Sequence, residues 1–386
     1  MIVAGIMSGT SADGINVAIV NLQDHDFATR LDFVAHREFP YPKNVRNFVL
    51  SVMNAEARVA DLARLNVLLG ELYADALLAT ASSAQAGISL IGCHGQTIYH
   101  QGDAKKFLGR NISATWQTGE GAIVAARTGI PVVSDFRQAD MAAGGKGAPL
   151  VPFLDYMLYR DPQRGRIVQN IGGIANLTAI PPGTSSGGGT RPERVIAFDC
   201  GPGNMVIDAV MDRFYGKRFD KDGRIAAKGK PIEAALKKML AAPFFRKEPP
   251  KTAGREEFGS EFVSQFLKLC GRAKKEDVVA TATALTARSI AQAFQNLLPG
   301  AQHQHTYHDL IISGGGSRNC TLVKMISELL PALEVKTSDA YGIPAEAKEA
   351  VAFAVLAYQT WHRLPSTIPS ATGADYPAVL GKISYP

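Results

Sequence analysis

Asp199 ends the apolar run Arg194–Asp199 in AFDCGPGN, immediately before a Gly-Pro-Gly turn. An acid exposed in this way can act as a general base toward a bound ligand. The competing use is local, a carboxylate spent on backbone N–H groups of its own turn. Three glycine-rich turns each follow an apolar run: GTSADG (Gly9–Gly14), GGIAN (Gly172–Asn176) and GGGSRN (Gly314–Asn319). Glycine allows backbone amides to approach phosphate oxygens that a Cβ would hold off. The third turn also opens a helix, whose N-terminus favours an anion. Any one of them suits an ordinary tight turn, but three in one chain point to a nucleotide. The chain has no Walker A loop, because GGKGAP around Lys146 lacks the first glycine and the hydroxyl after lysine, and no GxGxxG follows a strand.

Six further residues carry polar chemistry. Asp13 lies in the first turn, where a carboxylate beside phosphates would hold Mg²⁺ directly or through water. Glu349, in the first turn of a C-terminal helix, can share that task or simply favour the helix N-terminus. Arg137 in SDFRQAD offers a fork of donors to sugar hydroxyls or phosphoryl oxygens, or else an ion pair to Asp135 or Asp140. His94, Gln96 and Thr97 in GCHGQT end an apolar run and present the polar edges a carbohydrate needs, with a core histidine as the alternative for His94. Cys200 reads as a small buried residue rather than a nucleophile.

The elements that position these residues occur in two similar sets. Ile2–Met7, Ile15–Leu22 and Leu31–Phe39 read as three strands, and Arg166–Asn170, Leu177–Ile180 and Arg194–Asp199 repeat the pattern. Each set begins with a hairpin turned by Gly, Ser, Thr, Asn or Asp. Between them, Val59, Leu62, Leu65, Leu69, Leu72 and Leu77 mark one face of a helix. Asp277–Leu298, Cys320–Leu330 and the Ala-rich Ala345–Leu364 read as later helices, and Asp309–Ile312 as a strand. The class is α/β with an internal duplication.

A chain of 386 residues exceeds one ordinary core, so two domains are expected. The apolar share of 46% and charged share of 20% exclude a disordered chain. No apolar run is long enough for a membrane span, and MIVAGIMSGT lacks a basic leader, so no membrane role is expected. Four unpaired-looking cysteines suit a reducing, cytoplasmic setting. The net charge of +6 is scattered without an aromatic-interleaved stripe, which argues against a nucleic-acid partner.

Ten blocks taken together resemble the anhydro-N-acetylmuramic acid kinases over nearly the whole chain: MSGTSADG, GCHGQT, ARTGIPVVSDFRQAD, GGKGAPLVP, NIGGIANL, FDCGPGN, FDKDG, PPKTAGREEF, ISGGGSRN and IPAEAKEAVAFA. The resemblance implies a duplicated actin-like (ribonuclease H-like) fold, with two lobes around a central cleft. The N-terminal lobe is expected over 1–135, completed by 366–386, and the C-terminal lobe over 136–365. The implied reaction opens a 1,6-anhydro sugar with water and transfers the ATP γ-phosphoryl to O6. Asp199 then matches the base. His94, Gln96, Thr97, Arg137 and Glu349 match the substrate side, and Asp13 and Glu349 the Mg²⁺ side. Nucleotide contacts fall on Gly9, Thr10, Ser11, Asp13, Gly14, Gly172, Gly173, Gly201, Gly314, Gly315, Gly316 and Asn319. The expected partners are an anhydrosugar, ATP and a second copy in a homodimer.

Two positions depart from the family pattern. Asn16 stands where a second acid is common, and Cys200 where threonine is common. Parts of the chain, such as GEGAIVAARTGI, also resemble levoglucosan kinase, which opens the same bridge in a simpler sugar, whereas PSATGADYPAVLG is closer to the muramate enzymes. A non-catalytic ATP-binding regulator on the same fold is the reading from another class.

Overall fold

In the computed structural model, which describes residues 1–25, 28–183, 192–249, 251–297 and 306–386, the chain divides into two units, Met1–Leu158 with Ala347–Pro386, and Tyr159–Glu346. Of the Gly/Ser-rich tract 183–190, which the sequence suggests is a surface loop within the second domain, residues 184–190 lie outside the described residues.

The first unit is built on strands β1 (Ile2–Ser8), β2 (Gly14–His25), β3 (Ala28–Pro40), β4 (Leu90–Phe107), β5 (Arg110–Thr118), β6 (Val132–Ser134) and β12 (Lys382–Ser384). Its sheet order is β12-β6-β4-β1-β2-β3, with β5 paired to β4. The second unit holds β7 (Gly165–Ile171), β8 (Ile174–Ile180), β9 (Ile196–Pro202), β10 (Tyr307–Ser313) and β11 (Glu334–Thr337), in the order β11-β10-β7-β8-β9. In both, three antiparallel strands come first, and two later strands run parallel to the first of them. Both sheets thus follow one topology, the duplicated mixed α/β arrangement expected of an actin-like chain. The central strands β1 and β10 are buried on both faces over most of their length, and mostly apolar there.

The first unit resumes at Ala347, earlier than the expected 366, because one helix packs closely on its sheet. A Cβ on Gly5 of β1 would stand 1.8 Å from the carbonyl oxygen of Ala350, and one on Gly92 of β4 would stand 2.0 Å from that of Phe353. Two glycines therefore let the helix Lys348–Trp361 lie directly on the first sheet. Its residues from Ala350 to Thr360 are buried, so its alanines act as packing surface. This contact draws the helix into the first unit, where the sequence had suggested the second lobe. It also fixes where Glu349 begins its first turn.

A second difference concerns β4. The sequence suggested that the strand ends near Thr97, but it runs on to Phe107 and pairs with β5 in a long hairpin. His94, Gln96 and Thr97 are consequently mid-strand, at an irregular stretch where Gly95 adopts φ +77° and a Cβ would meet Thr118 O at 2.6 Å.

Candidate active site

The first unit holds a turn, an arginine and an acid singled out by the sequence. The turn after β1 is closed by Ala12 N–H donating to Gly9 O at 3.0 Å, with Ala12 at φ 52°. Ala12 is buried, while Thr10, Ser11 and Asp13 are exposed. Below it, buried Ser8 donates to Gln96 Oε1 at 2.7 Å, Gln96 Nε2 donates to Gly9 O at 3.1 Å, and the Tyr41 hydroxyl donates to Ser8 Oγ at 2.9 Å. Gln96 is wholly buried, so its amide braces the turn, where the sequence had suggested a sugar contact. Thr97 accepts a hydrogen bond from Gln117 of β5 at 3.2 Å. Asp13 pairs with Arg46 at 3.1 Å, both half-exposed.

Arg137 sits at the start of the helix Phe136–Ala142. Its Nε donates to His94 Nε2 at 3.1 Å and its Nη1 to Gly147 O at 2.6 Å. His94 Nδ1 in turn donates to Gly95 O at 2.7 Å, which fixes the neutral tautomer with Nε2 as acceptor. Burial and the adjacent guanidinium hold the His94 pKa well below its ordinary value. His94 thus orients Arg137, with its ring stacked 4.5 Å from that of Phe353. The direct ion pairs considered for Arg137 do not form. Asp135 pairs with Lys382 at 2.5 Å, and buried Asp140 accepts from Gly147 N–H at 2.7 Å, shaping the loop that holds the arginine. Burial lowers the Arg137 pKa to about 10, against the fields of Glu349 and Asp140, so it stays charged at neutral pH. Glu349 keeps an exposed side, yet the protein around it raises its carboxyl above the usual range, opposed by Lys348 and Arg137. Lys348 is itself buried and paired with Asp155 at 2.6 Å.

The second unit holds the candidate base. Asp199 lies on β9, where its Oδ2 accepts from Ala253 N–H at 2.7 Å and its own N–H donates to Lys251 O at 3.0 Å. Lys251 is buried over the Phe198 and Phe244 rings, at 5.6 and 4.9 Å. Burial lowers its pKa, while the charge of Asp199 acts the other way. The local turn alternative for Asp199 is therefore replaced by a long-range anchor, the segment Lys251–Ala253. Cys200 points into the core, and burial raises its thiol pKa far above normal, so it is no nucleophile.

The glycines divide by what a side chain would meet. At Gly14 a Cβ would stand 2.2 Å from Phe39 O, at Gly201 2.8 Å from Phe245, at Gly314 2.6 Å from Asn170 Oδ1 and at Gly316 2.3 Å from Ile171. Those four are glycine because the protein leaves no room. At Gly9, Gly172, Gly173 and Gly315 the nearest atom is 3.6 Å away or farther, and none has a positive φ. Nothing within either unit requires glycine there, as expected where a phosphate chain takes the space. Asn319 caps the helix Cys320–Leu329 by accepting from Leu322 N–H at 3.0 Å, so its Oδ1 is committed to the helix start. Among the described residues, no three His, Cys, Asp or Glu side chains form a metal cluster.

The partition gives a direct prediction. Gly315→Ala is expected to leave Tm unchanged while raising the KM for ATP about tenfold. Gly316→Ala, which collides with Ile171, is expected to lower Tm instead. If neither variant changes the KM for ATP, or both lower Tm alike, the phosphate reading of the open glycines is wrong.

A family model described as anhydro-N-acetylmuramic acid kinase matches residues 1–386. A curated anhydro-N-acetylmuramic acid kinase from Caldanaerobacter subterraneus subsp. tengcongensis is 44% identical, over 99% of this chain and 96% of its own. One from Bacillus cereus (strain Q1) is 42% identical over 100% of both chains. Among solved structures, the activator of the 2-hydroxyisocaproyl-CoA dehydratase from Clostridium difficile, with bound ADPNP, is 14% identical with a TM-score of 0.43, over 93% of this chain and 95% of that one.

Proposed function

The chain belongs to the anhydro-N-acetylmuramic acid kinase family, and from that premise we infer how its own residues perform the reaction. The activity is that of an ATP-dependent phosphotransferase acting on 1,6-anhydro-N-acetylmuramic acid in cell-wall sugar recycling. The observation that carries the residue assignment is Asp199. It is a carboxylate in the middle of β9, which runs on to Pro202 rather than ending at the acid, at an irregular point of the β8–β9 pairing, held by the Ala253 N–H in a setting where buried Lys251 adds positive charge.

Asp199 takes a proton from water as the water oxygen bonds to the anomeric carbon. The C1–O6 bond breaks, and its electron pair stays on O6. O6 then attacks the γ-phosphorus supplied by ATP, and ADP leaves. The products are the 6-phosphate of the opened sugar, ADP and one proton. Water needs a base, whereas phosphoryl transfer needs alignment and charge neutralisation. Arg137 supplies a fixed guanidinium for the transferred group. Nη1 and Nε are anchored, and Nη2 makes no hydrogen bond to the described residues. Gly9, Gly172, Gly173 and Gly315 leave backbone open to the phosphates.

Mg²⁺ is commonly held by one or two carboxylates together with substrate phosphates. Asp13 fits that role if its pairing with Arg46 gives way, and Glu349 is the second candidate. A homodimer is proposed on the family resemblance, and a cytoplasmic location on the four free cysteines.

The substrate is tested by a coupled ADP-release assay on two anhydrosugars. The kcat/KM for 1,6-anhydro-N-acetylmuramic acid should exceed that for levoglucosan by at least about 100-fold. A preference for levoglucosan would place the chain in the other branch of the resemblance. The absence of turnover on either sugar, with ATP still bound, would favour the regulator.

A further inference from the structure

We propose that Gln169 is a positioning residue that aims the Asp199 carboxylate by locking the bulge at Cys200; this rests on the reading of Asp199 as the base. The pairing of β8 with β9 is irregular at one place. Asn176 stands opposite Asp199 and Ala175 opposite Gly201, so Cys200 is an extra residue with no partner across the ladder. Such a bulge turns the side chains beside it and is common next to active sites.

The bulge is tied down by a residue on another strand. Gln169 lies on β7 between Ile167 and Ile171, both part of the second unit's apolar core, and it is wholly buried. An amide in that place costs free energy unless it is bonded. Its Nε2 donates to Asn176 O at 2.8 Å and to Asn170 O at 3.2 Å, and its Oε1 accepts from Cys200 Sγ at 3.7 Å. One side chain thus holds both strands of the bulge, Asn176 on β8 and Cys200 on β9. The raised pKa of the thiol keeps it in the S–H form, which can donate.

Side chains on a strand alternate between faces. Were the bulge to slip by one residue, Asp199 and Cys200 would exchange faces, and the carboxylate would point into the core. The Ala253 N–H and the Lys251 carbonyl hold Asp199 from outside the sheet, and Gln169 fixes the register from inside it. A hydroxyl at 200, as in the common family pattern, would make the same bond to the amide at a shorter distance. The cysteine therefore keeps the donor in weakened form.

The test is a double-mutant cycle on kcat with the full-length protein. Gln169→Met fills the same space without hydrogen bonds and should lower kcat about 30-fold, with both KM values changed less than about threefold. Cys200→Val should lower kcat about fivefold, and Cys200→Ser, which restores a donor, should recover most of that loss. The Gln169→Met/Cys200→Val double variant should be no slower than Gln169→Met alone, because the bond is already gone. Additive losses, or a Gln169→Met rate within about twofold of the parent, overturn the proposal. Should Gln169→Met fail to fold, as judged by circular dichroism and loss of an ATP-induced Tm shift, the Cys200 pair decides. Equal rates for Val and Ser at 200 sink it. Asp199→Asn, run alongside, separates the two levels: if it turns over normally, the base assignment itself is at fault.

Discussion

Asp199→Asn should abolish turnover to within about one part in a thousand of the parent rate, while ATP still binds. The expected size follows from general acid–base catalysis, which contributes about 10²–10⁴ in rate. Asparagine keeps an acceptor for the Ala253 N–H, so the bulged strand and the 2.7 Å anchor can survive the change. What disappears is the capacity to take a proton from water. Because O6 is freed only when the C1–O6 bond breaks, phosphoryl transfer cannot proceed around the defect. ADP release and sugar phosphate should therefore fall together, with at most slow ATP hydrolysis left over. The measurement is single-turnover formation of sugar phosphate, with nucleotide affinity followed separately. A rate within tenfold of the parent would remove Asp199 from the role of base.

How far the sequence carried this picture depended on the range of the contacts involved. Strands β1, β2 and β3 and their counterparts β7, β8 and β9 were legible, because apolar runs broken by small turn residues are local signals. Asp199 was legible for the same reason, as an acid at the end of such a run. Its anchor was not, since Ala253 lies 54 residues away in a segment with no apolar period. Gln169 escaped notice because its partners, Asn176 and Cys200, are set by register between strands, which one strand cannot reveal. The hairpin of β4 and β5 was missed because residues beyond Thr97 are polar and largely exposed, so no alternating pattern marks them. Asn319 carried a local signal that was read differently. It precedes a helix, where asparagine is a favoured N-cap, and the structure uses it so.

Arg137 carries the second large effect, and its test depends on how the guanidinium is held. Two of its nitrogens are already committed, to His94 Nε2 and Gly147 O, so its remaining edge is fixed before any substrate arrives. Preorganised charge of this kind is worth about 10²–10³ in kcat where negative charge develops. Arg137→Met should lower kcat by about that factor, and Arg137→Lys should lose almost as much. A lysine ammonium keeps the charge but cannot span His94 and Gly147 while still presenting a third donor. If lysine restored kcat to within about threefold of the parent, charge alone would suffice and the anchored geometry would be irrelevant. The arrangement also makes a statement about pH. The bond from Arg137 requires His94 Nε2 to be unprotonated, and burial together with the adjacent guanidinium pushes that histidine's pKa well down. Protonation, which would set two cations against each other, is thus deferred to acid conditions far below the ordinary histidine value. The profile of kcat against pH should cross the region around 6.5 without a break. A limb in that region that vanished in His94→Gln would show the histidine titrating normally, and the account of Arg137 would fail with it.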